Sequence, residues 1–175
     1  MTSIVLRRSQ FLTLLCLSGS TRVQPLAAQG SQPPAALAER LIGTWMLVRY
    51  EIARPNGGML FPFGDPAAGM LTYDATGHMS GQVMRPGRTL APFELETPDQ
   101  IREAYKGYVA YFGRYELNSA GDSVTHHVDG SLDTWRIGVD QVRGLQFSGD
   151  RLILSAVFTN EGERRVHTIT WERAK

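Results

Sequence analysis

The sequence predicts an all-β fold, an eight-stranded antiparallel up-and-down barrel with one inserted helix between strands 3 and 4. Three observations carry this expectation. From Gly43 onward, runs of about five to ten residues alternate apolar and polar side chains with period two. Clusters of Gly, Asp and Asn between them tolerate the positive φ of tight turns. Gly43-Thr44-Trp45 opens the first run and Trp171-Glu172-Arg173 closes the last. First and last strands are neighbours in a closed barrel, so Trp45 and Arg173 can stack as a structural floor.

The elements follow in order. Arg7-Arg8, the apolar run Phe11 to Leu17 and the small or polar residues down to Ala28 make the three-part pattern of a secretory signal peptide over 1–28. The apolar run is far shorter than the roughly 20 residues of a membrane helix, so no permanent span is expected. The expected location is periplasmic or secreted. Export would use the Sec route or the twin-arginine route, although Ser9-Gln10 sets the arginines one residue further from Phe11-Leu12 than the usual twin-arginine pattern. The single cysteine, Cys16, lies inside this segment behind Leu15 rather than a small residue, so the mature chain is expected to lack thiol, disulfide and lipid.

The whole chain carries 18 basic and 17 acidic residues; without 1–28 it carries 15 and 17, a formal charge of −2. That balance excludes a basic footprint for nucleic acid. Residues 29–40 read as a polar, proline-containing leader and a short helical segment, and 41–175 as the barrel domain. Strands are expected near 43–54, 69–75, 78–84, 112–118, 122–130, 141–148, 151–158 and 164–173. Thr97-Pro98-Asp99-Gln100 combines a capping box, a proline at the first helical position and an acid in the first turn. A helix of about 12 residues is expected to follow, with Ile101, Ala104, Tyr105, Tyr108, Tyr111 and Phe112 mainly on one face.

The strings LIGTWMLVRYE, QVMRPGR, GYVAYFGRYEL, VTHHVDGSL, GLQFSGDRLILS and ITWER occur in this order between residues 41 and 174. With them the chain resembles the lipocalin-like domain proteins, a single-domain branch of the lipocalin and fatty-acid-binding-protein type of barrel. Asp133-Thr134-Trp135-Arg136 departs from that pattern, which has a proline and an Asn-Trp pair there. The resemblance implies a barrel that binds a small apolar or amphipathic molecule, with some relatives recruited as isomerases or cyclases.

Cross-strand pairing predicts which side chains enter the lumen, because directly opposed residues share a face. Leu117 opposite Val124 sets Tyr115 against His126. Phe147 opposite Leu152 sets Arg143 against Ala156, and Phe158 opposite Arg165 sets His167 against Ala156. Tyr73 opposite His78 is the most economical register of the earlier hairpin, and Trp45, Leu47 and Arg49 are then expected inside. The expected ligand-binding residues are Tyr73, His78, Tyr115, His126, Arg143 and His167, with Arg85 at the rim, in an otherwise apolar lumen.

Adjacent residues on a strand face opposite ways, so His126 and His127 do not share an ion inside the barrel, and no metal is expected. No phosphate-cradling loop, dinucleotide fingerprint or Gly-x-Ser-x-Gly elbow occurs, and no cofactor is expected. Three functions remain open: a carrier of a small molecule; an isomerase or cyclase with Tyr115 and His126 as acid and base and Arg143 stabilising an enolate or carboxylate; or a packed barrel that binds another protein by its outer face or its helix.

Overall fold

A computed structural model describes residues 34–88, 97–160 and 162–175. The predicted signal peptide and the first residues of the leader lie outside them. Within the described residues a closed antiparallel barrel runs β1 (Gly43–Ala53), β3 (Ala68–Tyr73), β4 (His78–Met84), β5 (Tyr108–Leu117), β6 (Ser123–Ser131), β7 (Asp140–Ser148), β8 (Arg151–Asn160) and β9 (Glu163–Arg173). Pairing of β1 with β9 closes it, and the two-residue β2 (Met59–Leu60) lies against the end of β1. Eight strands thus form the wall, as the alternation predicts.

Helix α1 (Pro34–Leu41) starts at the helix-compatible proline and covers one barrel end. Its Leu41 is fully buried, and Arg40 lies over the Phe147 ring at 4.1 Å. This end is filled. Trp45, Leu71, Tyr73, Met79, Val124, Leu145, Leu152 and Trp171 pack into one cluster with Leu41. Arg173 stacks over Trp45, its guanidinium carbon 4.3 Å from the ring centroid, and donates to the carbonyls of Ile42 and Arg40. The Trp45 indole N–H donates to Leu41 O at 2.9 Å. Gly43, at φ +131°, leaves the space that Arg173 occupies, since a Cβ there would meet the guanidinium at 2.4 Å.

Three sequence expectations need correction. The inserted helix, α2 (Pro98–Lys106), keeps its Thr97 capping box but has nine residues rather than about 12. It ends at Gly107, and Tyr108, Tyr111 and Phe112 belong to β5. Tyrosines three apart suit a helix face, but they also suit a strand that supplies a residue to each side. Secondly, Tyr73 lies opposite Met79, not His78. Asp74 N–H bonds His78 O across a three-residue loop whose last member, Gly77, has φ +86°, and an odd loop length moves the register by one. His78 consequently faces outward.

Thirdly, Leu47 pairs with Trp171 but Arg49 with Thr170, so Val48 is an extra residue in β1. The bulge turns Arg49 outward, where it meets Asp65 at 3.1 Å, and turns Tyr50 and Ile52 inward. The predicted pairings of the three later hairpins are present, including Tyr115 with His126, Leu145 with Leu154 and Ala156 with His167. Arg143 and Ala156 fall one step beyond the end of the β7–β8 ladder at Gly144–Ser155.

Candidate functional site

The barrel half away from α1 is hollow. Two adjoining lobes occupy it, an inner one of about 220 Å³ and an outer one of about 270 Å³. Leu71, Val83, Val109, Tyr111 and Trp171 are among the walls of the inner lobe; Trp135, Ala156, Phe158 and Arg165 are among those of the outer. Both lobes share Tyr50, Ile52, Arg136, Arg143, Leu154, His167 and Ile169. An apolar wall with sparse donors is the composition of a small-molecule site.

The predicted site residues separate into three groups. Arg143 and His167 line both lobes. His126 and Tyr73 are buried below them as packed polar groups: Tyr73 Oη lies 2.6 Å from His126 Nε2, and Tyr111 Oη 2.9 Å from His126 Nδ1. A neutral imidazole has one N–H donor and one acceptor, so one phenol accepts from the ring and the other donates to it. Desolvation, then the Arg143 charge, lowers the His126 pKa from 6.5 to about 3, while burial raises both phenols.

Tyr115, His78 and Arg85 stand apart from the cavity. Tyr115 packs edge-on against Tyr73 but gives its hydroxyl proton to the Asp74 carbonyl at 2.8 Å, so it makes no acid–base pair with His126. His78 is exposed and bonds the Thr76 hydroxyl at 2.8 Å. Arg85 approaches Glu103 of α2 at 3.5 Å. His127, on the outer face, meets Asp140 at 2.7 Å and Glu116 at 3.5 Å.

Residues not foreseen complete the site. Tyr50 Oη lies 2.8 Å from His167 Nδ1, and Phe158 packs edge-on against the same imidazole at 4.6 Å. Burial, followed by the charge of Arg143, lowers the His167 pKa, which favours the neutral ring beside the cavity. Arg136 arrives from the 3-10 turn Thr134–Arg136, held by Asp133 at 3.0 Å, with Trp135 stacked against it at 4.3 Å. Tyr105 of α2 donates to the same Asp133 at 3.0 Å, which ties the inserted helix to the rim although none of its residues lines either lobe. One sequence signal for Tyr50 exists. The inward series Trp45, Leu47, Tyr50, Ile52 contains a single step of three, which marks a bulge.

A family model described as a lipocalin-like domain matches residues 42–174. The chain belongs to the lipocalin-like domain family. No curated protein matches it. A lipocalin-like barrel fits ligand binding in general, and the hollow half of this lumen has room for a small molecule. The segment Asp133-Thr134-Trp135-Arg136 supplies two walls of the outer lobe, Trp135 and Arg136. No helix among the described residues is long and apolar enough to cross a membrane.

Proposed function

We propose that this lipocalin-like protein is an exported carrier that holds a small apolar or amphipathic molecule in its lumen. The observation that carries the reading is the division of the barrel: one end is closed by α1, Trp45 and Arg173, and the other is hollow and lined mainly by apolar side chains. A filled barrel that works only through its outer face has no need of such a lumen. The protein purified from its natural host, denatured in organic solvent and analysed by mass spectrometry, is expected to release a defined small molecule in stoichiometric amount. An empty extract together with no binding of a neutral apolar fluorophore refutes the carrier. Export predicts a mature N-terminus at Gln29 in material from the periplasm or medium.

A second reading, a small isomerase or cyclase, draws on Tyr50 and His167 rather than Tyr115 and His126. Both groups of the pair face the cavity, and Arg143 lies in the same wall to hold an oxyanion. His167→Ala separates the two readings. A carrier keeps its affinity for the extracted molecule within about threefold, whereas an enzyme loses turnover by roughly 10²-fold or more.

A further inference from the structure

We propose that the lumen selects an anionic amphiphile, whose head group pairs with the Arg143 guanidinium while its tail occupies the inner lobe. This inference rests on the carrier reading and names the chemical class of the cargo.

Arg143 is only 9 % exposed and lines both lobes. Its hydrogen-bond acceptors are neutral: Gln141 Oε1 at 3.1 Å and the Val142 carbonyl at 3.3 Å. Among the described residues no carboxylate pairs with it. The other two arginines of the cavity wall are different, since Arg136 meets Asp133 at 3.0 Å and Arg165 meets Glu163 at 2.7 Å. Gln141 does not supply the missing charge, and its Oε1 also faces Arg136 at 3.4 Å. An arginine stays protonated at any pH a folded protein survives, so it does not relieve its burial by losing the proton, as a lysine can. The Phe158 ring, its centroid 5.7 Å from the Arg143 guanidinium carbon, is uncharged as well. A buried cation without a counter-charge is costly, and an anion placed against it lowers that cost.

Two further observations agree. Neither lobe has an Asp or Glu in its wall, and the two carboxylates behind the wall, Asp133 and Glu163, are paired with Arg136 and Arg165. Trp171 lines the inner lobe, is buried, and its indole N–H has no acceptor among the described residues. Among the described residues, the buried side-chain polar atom left without a partner on the cavity wall is thus a donor, and it calls for an acceptor on the ligand. Beyond Arg143 the inner lobe offers Leu71, Val83, Val109 and Ile169, a wall for an alkyl or ring-hydrocarbon tail.

Decanoate and decanol make a matched pair, equal in chain length and different in head charge. In displacement of the neutral fluorophore N-phenyl-1-naphthylamine from the full chain at pH 8, decanoate is expected to compete at a concentration about tenfold to a hundredfold below that of decanol, the range for one charge-assisted hydrogen-bonded contact. Arg143→Met keeps the side-chain length and removes the charge. It is expected to abolish the preference while decanol binding stays within about threefold, which also reports that the variant is folded. Acetate is expected to compete at least a hundredfold more weakly than decanoate, because it lacks the tail.

Equal competition by decanoate and decanol, or a preference that survives in Arg143→Met, overturns the anion inference and leaves the carrier intact. Acetate competing as well as decanoate overturns it in favour of a small-anion site. If the fluorophore and both C10 compounds fail to bind, the carrier reading itself fails. Should Arg143→Met not fold, the wild-type ratio of decanol to decanoate decides by itself.

Discussion

Trp45→Ala is expected to destabilise the barrel by about 3–5 kcal/mol, the usual cost of truncating a large buried aromatic. Trp45 is 1 % exposed and is held on three sides: its indole donates to Leu41 O at 2.9 Å, Phe147 lies tilted against it at 6.0 Å, and Arg173 covers its face at 4.3 Å. The substitution opens a cavity under α1. It also leaves the Leu41 carbonyl without its donor and Arg173 above an empty floor, so collapse into the space has no good partner to offer. Because Arg173 also ties Ile42 and Arg40 to the last strand, the damage falls where β1 and β9 close the barrel. For a domain of this size the loss corresponds to roughly 10 °C in melting temperature. Denaturant unfolding measures it directly, and a loss under about 1 kcal/mol would show that Trp45 does not hold the floor.

The second large effect is a dependence of stability on pH that runs through His126. Its folded pKa, about 3, lies below the ordinary 6.5 because burial takes the ring out of water and the Arg143 charge opposes a second positive charge. The unfolded imidazole therefore takes up a proton between pH 6.5 and 3 that the native ring refuses. The stability held in the neutral ring is complete above pH 6.5 and is lost progressively as pH falls below it. The slope approaches about 1.4 kcal/mol per pH unit, so this one group contributes a loss of roughly 2 kcal/mol by pH 5. His167, whose pKa is lowered for the same first cause, adds in the same direction.

His126→Gln keeps one donor and one acceptor for Tyr73 and Tyr111 but has no proton to gain. Unfolding free energies at pH 7.5, 6.5, 5.5 and 4.5 are expected to fall less steeply in this variant than in the wild-type protein, with the two profiles diverging below pH 6.5. Parallel profiles would mean that the native ring is protonated as easily as the unfolded one.

His126 also shows how far the strand pattern reads. Pairing it with Tyr115 is right, because the loop Asn118–Asp122 sets the register of β5 on β6 and direct partners share a face. An acid–base dyad does not follow from that. The Tyr115 hydroxyl reaches the Asp74 carbonyl, and the phenols that meet the imidazole come from β3 and from a residue four positions earlier on β5. Local alternation assigns a face; which hydroxyl meets which nitrogen depends on strands 15 and 53 residues away folding to one point.

The barrel, its eight principal strands and the start of the inserted helix are determined by the sequence alone, since period-two alternation, positive-φ turn residues and a capping box act over neighbours and need no distant partner. So is the inward parity of the β5–β6, β7–β8 and β8–β9 hairpins. Only the tertiary structure decides the rest. A three-residue loop turns His78 outward, and a single bulge at Val48 exchanges Arg49 for Tyr50 in the lumen. The segment after Leu132 brings Trp135 and Arg136 to the outer lobe. Burial leaves Arg143 facing the cavity without an acid, because the acids that pair with its neighbours, Asp133 and Glu163, are bound to Arg136 and Arg165. One-residue shifts of register have small local cost but reverse a side chain's face, and charge balance is a sum over every strand that meets at the cavity; neither can be computed from a single run of residues.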